Sequence, residues 1–309
     1  MHIRESTEAD IPDIVDLLKK SLGETSSPKS INYWIWKHLN NPFGPSKVLL
    51  AERNGQLIGV RAMMQWHWQK NERKFSTLRA VDTATDPDFQ GQGIFSVLTR
   101  KMIDRSHADG IDFIFNTPNT KSFPGYIKLG WVALGKLLVG FSFVSPFFRK
   151  RNKSSHGSIE LDKIELLCTQ WNHLQQQKNL LFTPKSIEYL KWRYLNNPVI
   201  KYFVYANADI FLAMYSRKRK NFSELRVAEL ICTGITSTSM IQIQKVIRNY
   251  AHEKNINLIS YAPSLQQWIP GFKLSLPLGP KLCTKKVNVA LQDIKDLKIA
   301  YSLGDMELF

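Results

Sequence analysis

Two stretches of the chain say nearly the same thing. Residues 27–42 read SPKSINYWIWKHLNNP and residues 183–198 read TPKSIEYLKWRYLNNP. At an offset of 156, ten of sixteen positions are identical, and two more are Ser/Thr and Lys/Arg exchanges. Each stretch carries aromatic residues at helical spacing and stops at Asn-Asn-Pro, because the residue before a proline is driven out of the helical region. Self-similarity half a chain apart points to one structural plan used twice. A length of 309 residues suits two cores of about 150 residues each.

The surrounding order of elements agrees. MHIRES has a short strand pattern, and Thr7 stands where a helix N-cap belongs, with Asp10 three residues on. Ile11, Ile14, Leu17 and Leu18 then mark a helix over roughly 8–20, and the first Trp helix covers about 29–39. VLLAERNGQLIGVRAMMQWHWQ places two β-rich runs around Asn54-Gly55, a strong hairpin signal. STLRAVDTAT reads as a third long strand, DPDFQGQGIF opens a helix, and IDFIFNT reads as a buried strand. WVALGKLLVGFSF reads as a last strand pair or one long strand. After the basic stretch PFFRKRNKSSHGS the order resumes: a helix over about 160–176, the second Trp helix, three strands, a helix over about 239–253 and the strand INLISYA. A second echo, Phe123-Pro124-Gly125-Tyr126 against Ile269-Pro270-Gly271-Phe272, has an offset of 146, ten less than the first. The missing ten residues are expected in the region of Asp86–Phe95. The expectation is an α/β chain of two domains, residues 1–146 and 159–309, joined by a basic linker at 147–158.

Composition removes several function classes. No run of 18 apolar residues is present, so no membrane span is expected, and the opening MHIRESTEAD has no apolar core of a secretory signal. Cys168, Cys232 and Cys283 lie far apart and the seven histidines are scattered, which offers neither a zinc site nor a disulfide framework. A reduced cytoplasm suits this pattern, and no metal is expected. Net charge is +16, with 18 basic against 14 acidic residues in 1–145 and 24 against 12 in 146–309. Such a basic second half suits anionic partners as readily as plain solubility.

The stretch the second half lacks is chemically the most telling. A strand followed by a glycine-rich turn and a helix N-terminus forms an anion site, because the first helical amides have no internal partners and face the positive end of the dipole. Gly91 and Gly93 keep side chains from blocking a diphosphate there.

Gln90-Gly91-Gln92-Gly93-Ile94-Phe95 resembles the acetyl-CoA pyrophosphate loop of the GNAT superfamily of N-acetyltransferases, written (Arg/Gln)-x-x-Gly-x-(Gly/Ala). The opening IRESTEAD resembles that family's first strand and helix, and Asn119 with Tyr126 and Lys128-Leu129-Gly130-Trp131 is similar to its "N…FYEKLGF" segment. The resemblance spans residues 1 to about 143. One departure stands out: Phe95 occupies the final Gly/Ala position, so the helix sits differently or Phe95 points away from the cofactor.

The resemblance implies two GNAT-like domains, each a mixed, mostly antiparallel central sheet flanked by helices, the second a degenerate copy shaping the acceptor site. It implies acetyl-CoA as co-substrate, with Val81, Asp82, Thr83, Ala84 and Thr85 pairing with the pantetheine arm as an added strand would. The amides of Gln92, Gly93, Ile94 and Phe95 would take the diphosphate, and Asn119 would touch the pantetheine arm. One outward N–H on that strand would polarise the thioester carbonyl. Tyr126 would protonate the departing sulfur, or simply pack. Asp82 is a candidate base for the amine, or an acceptor-orienting group. The acidic C-terminal GDMELF is a second candidate, since some tandem relatives place the chain end in the active site; otherwise it is a frayed terminus. Trp66 and Trp68 either line the acceptor cleft or pack in the core, and Arg217–Lys220 is a solvated turn or an attractor of phosphate or of the adenosine end of CoA.

The leading expectation is therefore transfer of an acetyl group to the primary amine of a small acceptor, with an amino sugar or nucleotide-linked sugar favoured by the positive second half. Aminoacyl transfer from charged tRNA is an alternative that has no need of the Gln90–Phe95 loop. A non-catalytic module binding nucleic acid or protein through the basic half is another. It predicts salt-sensitive binding, and the absence of an RNA-binding signature argues against it. Oligomeric state is not legible.

Overall fold

The computed structural model describes residues 1–23, 29–144, 161–288 and 298–307. The expected linker at 147–158 lies outside the described residues, as do Leu308 and Phe309 of the C-terminal tail. The first half runs β1 (His2–Glu5), α1 (Ile11–Leu22), α2 (Ile31–His38), β2 (Lys47–Arg53), β3 (Gln56–Lys70), β4 (Arg73–Thr85), α3 (Ile94–Ala108), β5 (Phe113–Asn116), α4 (Phe123–Lys128), β6 (Val132–Lys136) and β7 (Val139–Phe143). The second runs α5 (Leu161–Gln176), β8 (Leu181–Phe182), α6 (Ile187–Leu190), β9 (Phe203–Ala206), β10 (Ile210–Lys218), β11 (Ser223–Cys232), α7 (Ser237–Glu253), β12 (Leu258–Tyr261), β13 (Lys273–Leu276), β14 (Lys281–Lys286), β15 (Ile299–Ala300) and α8 (Leu303–Met306).

Local chemistry sets these boundaries. The Asp10 carboxylate accepts from the Thr7 amide and hydroxyl at 2.7 and 2.9 Å, fixing the start of the α1 segment. Asn54 and Gly55 both adopt positive φ, 52° and 76°, as the tight turn between β2 and β3 requires. The two Trp segments are built alike: Ser30 and Ser186 each accept the amide three residues on, from Tyr33 and Tyr189, at 3.2 Å. The copies then diverge, since α2 is regular whereas α6 passes into a π-helical turn over Lys191–Leu195.

These segments also meet. Trp36 Nε1 donates to the Trp192 carbonyl at 2.8 Å, and Trp192 Nε1 donates to the Trp36 carbonyl at 2.7 Å. Their rings stack at 4.9 Å with 16° between planes. Reciprocal bonds between residues 156 apart are what an approximate two-fold relation between the halves produces.

Both sheets are mixed and mostly antiparallel. The first has the order β1-β2-β3-β4-β5-β14-β6, with β8 on β3 and β15 on β8; the second is β13-β7-β12-β11-β10-β9. The halves thus exchange strands. Strand β14 from the second half sits between β5 and β6, and β7 from the first sits between β12 and β13. WVALGKLLVGFSF accordingly yields two strands that enter different sheets instead of pairing together.

Three apolar clusters follow from this layout. One lies under α3 and one under α7. The third joins the halves through Trp36, Trp66, Trp68, Phe115, Tyr189 and Trp192. Trp66 and Trp68 are each 1% exposed, so their alternation reflects core packing. The second half's shortfall is shared out and does not fall on one turn. Residues 233–236 replace 86–93 before the helix, and β10 and β11 have 9 and 10 residues where β3 and β4 have 15 and 13.

Candidate active site

Strands β4 and β5 run parallel only through Thr77–Phe113, Leu78–Ile114 and Arg79–Phe115. Beyond Arg79, β4 shifts register against β3 between the partners of Arg61 and Met63, a bulge at Val81–Asp82 that turns it away from β5. The strands splay, and a cleft of about 890 Å³ opens between Ala80–Thr85 and Asn116–Asn119. Its walls come from both halves. Gly91, Gly93, Phe95 and Tyr126 line it from the first, and Arg217, Arg226, Met306 and Glu307 from the second.

Helix α3 opens at Gly93, which sits at φ 77° and provides no side-chain cap. Gly91 also sits at φ 77°, and an added Cβ at either glycine would meet nothing within 4 Å. The glycines are therefore set by backbone conformation and by space kept open before the amides, not by close neighbours. The Val97 amide is the first in α3 to bond back, to the Gly93 carbonyl at 3.0 Å, which leaves the Ile94, Phe95 and Ser96 amides without an intrahelical acceptor. The turn is anchored behind. Lys20 Nζ reaches both Asp86 oxygens at 2.9 Å and Asp88 at 3.2 Å, and Arg53 donates to Gln92 at 3.0 Å. Helix α7 in the second half has no such opening, because Thr236 and Ser239 form a capping box over its first amides.

Phe95 turns onto α4. Its ring meets Tyr126 edge-on at 5.4 Å, and a Cβ on Gly125 would come within 3.1 Å of it. The departure from the family pattern at Phe95 is thus matched by a glycine across from it. Tyr126 is 3% exposed, and its hydroxyl oxygen accepts from Arg61 Nη1 at 2.8 Å, leaving the hydroxyl hydrogen for another acceptor. Arg61 is fully buried between the Phe95 and Tyr126 rings. Asn119 is exposed at the cleft edge, where its side-chain oxygen accepts from the Ser122 amide at 2.9 Å at the start of α4.

Asp82 is not alone. Lys37 Nζ lies 2.7 Å and His38 Nε2 2.8 Å from its carboxylate. Burial acts to raise its pKa, but the Lys37 charge and the His38 hydrogen bond overcome this and hold it far below the usual carboxylate range. Burial lowers the pKa of His38, whose Nδ1 contacts Ser46 Oγ at 2.8 Å. Lys37 stands 156 residues before Arg193, which donates to the Gly304 carbonyl at 3.0 Å and to the Glu307 carbonyl at 2.5 Å. The Lys/Arg exchange in the repeat was the one sequence signal for either cation.

The described part of the C-terminal tail enters the cleft. Arg79 at the splay point donates to the Asp305 and Met306 carbonyls, both at 2.5 Å. Asp305 is buried against Lys185 and the Tyr189 hydroxyl, each at 2.7 Å. Glu307 lines the cleft, accepts from the Tyr215 hydroxyl at 3.0 Å and pairs with Arg226. Burial raises its pKa despite Arg226 and Arg193. Among the described residues no helix is long and apolar enough to cross a membrane, and no group of His, Cys, Asp and Glu is arranged to hold a metal.

Residues 2–133 match the family model described as "Acetyltransferase (GNAT) domain". No curated protein matches the sequence. Among solved structures, the chain is similar to a probable N-acyltransferase of Enterococcus faecalis V583, with TM-score 0.66 and 11% identity over 93% of this chain and 72% of that one. It is likewise similar to a GCN5-related N-acetyltransferase of Anabaena variabilis, with TM-score 0.64 and 11% identity over 93% and 73%. A GCN5-related N-acetyltransferase of Kribbella flavida gives 0.63 and 13% over 92% and 70%. At these identities the likeness establishes a shared fold.

Proposed function

We propose, from the premise that residues 2–133 form a GNAT acetyltransferase domain, that this chain moves an acetyl group from acetyl-CoA to the primary amine of a small acceptor by direct attack in a ternary complex. The family and fold support acyl transfer in general. The observation that carries the specific reading is the uncapped, glycine-opened start of α3 at the mouth of the cleft that also holds Tyr126.

Each part of the cleft then has a task. The amides of Gln92, Gly93, Ile94 and Phe95 hold the diphosphate, supported by the start of the helix dipole. The open edge of β4 from Val81 to Thr85 receives the pantetheine amides, with Asn119 across the cleft. Acetyl-CoA supplies the reactive thioester. Tyr126, oriented by Arg61, provides the proton for the departing sulfur. A neutral amine is needed for attack, so a base must take its proton. Asp82 is held as a fixed anion by Lys37 and His38 and accepts protons poorly, which suits it to orienting the acceptor's ammonium. Glu307, whose burial raises its proton affinity, is assigned the base role. The second half, we infer a duplicated copy whose own helix start has closed, supplies the acceptor wall.

Amino sugars and nucleotide-linked sugars are the first acceptors to try. Thiol release from acetyl-CoA is to be followed over a panel of amines, with CoA binding measured alongside. Amine-dependent release is the expected result. Failure of CoA to bind, with no release for any amine, refutes the reading.

A further inference from the structure

The wall given by the second half is built around one carboxylate shared among three guanidinium groups. Glu224, 5% exposed, accepts from Arg217 Nε at 2.8 Å and Nη2 at 3.3 Å, Arg219 Nε at 3.0 Å, Arg226 Nη1 at 3.4 Å and Ser260 Oγ at 2.5 Å. Arg226 also pairs with Glu307. Three positive charges therefore face two negative ones at this wall, before the turn residues Lys218 and Lys220 are considered. Arg217 is placed differently from Arg219: it lines the cleft, its side chain is 30% exposed, and its Nη1 donates to no described residue. Arg217 grips Glu224 by its Nε and Nη2, which leaves Nη1 outside that pairing.

An acceptor amine arrives as an ammonium group and is drawn to Asp82 and Glu307. A plain amine or a polyamine would bring only positive charge against Arg217 and Arg226, which repels it. A planar guanidinium with an open edge suits a carboxylate or phosphate, which it grips by charge-assisted hydrogen bonds. Resting on the acetyl-transfer reading above, we infer that the acceptor carries an anionic group, carboxylate or phosphate, beside its amine, and that Arg217 holds that group.

Matched acceptors test this and tell the two anions apart: an amino acid against its amide, and glucosamine 6-phosphate against glucosamine. In one of the arms the anionic member is expected to exceed its neutral partner in kcat/KM by roughly 10- to 150-fold, the value of a hydrogen bond to a charged group. Arg217→Gln is expected to bring that ratio near one. Arg219→Gln removes the same charge from the same carboxylate but lies outside the cleft lining, and is expected to keep it. An unaltered CoA-induced melting shift in both variants serves as the folding control. Equal use of both members in both arms, or an equal collapse in Arg219→Gln, overturns the inference while acetyl transfer stands. If no amine of the panel reacts, inorganic phosphate and acetate are titrated onto the CoA complex. Stabilisation by either that Arg217→Gln abolishes supports the clamp, and its absence overturns it. Failure of CoA to bind is a failure of the underlying reading instead.

Discussion

Replacing Gly93 by valine separates the fold from its proposed cofactor site. At φ 77° an L side chain costs about 1–2 kcal/mol. No atom lies within 4 Å of an added Cβ, so no clash adds to that cost. Unfolding entropy of about 2.1 cal/mol/K per residue gives about 0.65 kcal/mol/K for the 309 residues, so the strain lowers Tm by about 2–3 °C. CoA at about one hundred times its Kd adds about 2.7 kcal/mol to the unaltered protein, a rise of about 4 °C. On the proposed assignment the new side chain projects where the diphosphate would meet the amides. Losing two charge-assisted bonds at about 1.5–3 kcal/mol each weakens Kd by about two to four decades. At the same CoA concentration the gain then falls to about 0.4 kcal/mol or less, under about 1 °C. Differential scanning calorimetry with and without CoA reads both numbers. A valine variant that still rises by about 4 °C would refute the assignment of the glycine turn.

Other expectations rest on separate features. Asp82→Asn leaves Lys37, 3% exposed, without its anion and should cost about 3–5 kcal/mol by denaturant unfolding. The folded Asp82 pKa lies below the unfolded value of about 3.9, so the folded state binds fewer protons. Its stabilisation is therefore full above about pH 4 and is lost as pH falls further, a dependence that Lys37→Met should weaken, leaving the share contributed by His38. Tyr126→Phe should keep the CoA melting shift while lowering kcat about a hundredfold or more. Glu307→Gln should remove the acidic limb of the pH–rate profile, since activity is expected to rise as this carboxyl ionises above the usual range. Gly140→Val places a side chain within 3 Å of the buried Tyr261 ring, at an expected cost of about 1–3 kcal/mol. Because β7 belongs in sequence to one half and in space to the other, calorimetry should show one lowered transition for the whole chain. An unmoved first-half transition would count against that coupling.

What the sequence disclosed was mostly local. Asn54-Gly55 announced its hairpin because few residue pairs accept positive φ twice in succession. The glycine turn was legible because strand, Gly-x-Gly and helix follow one another directly, and the Trp segments because ten identities leave little room for chance. The strand exchange was not legible. Alternation in LLVGFSF says that β7 is a strand but not which sheet receives it, and β14 enters the first sheet from more than 160 residues away from β5. The same limit hid much of the cleft. Lys37 and His38 read as the end of a helix, yet they fix the charge of Asp82. Arg61 reads as an interruption in a strand, yet it orients Tyr126. Glu307 was visible as an acidic residue, but only the Arg79 bonds to the chain end show why it sits in the cleft. Phe95, a flaw by motif, is resolved by Gly125, thirty residues on.

The exchange also bears on how the site is held. Strand β5, from which β4 parts at its bulge, pairs on its other side with β14, a strand supplied by the half that also supplies Arg217 and Arg226. The walls proposed for cofactor and acceptor are thus parts of one interlocked sheet system. The most direct measurement is a crystal structure with CoA bound. The account requires the diphosphate on the amides entering α3, the pantetheine arm along Val81–Thr85, and the sulfur within hydrogen-bonding reach of the Tyr126 hydroxyl. Coenzyme lodged elsewhere, or a sulfur remote from Tyr126, would contradict it.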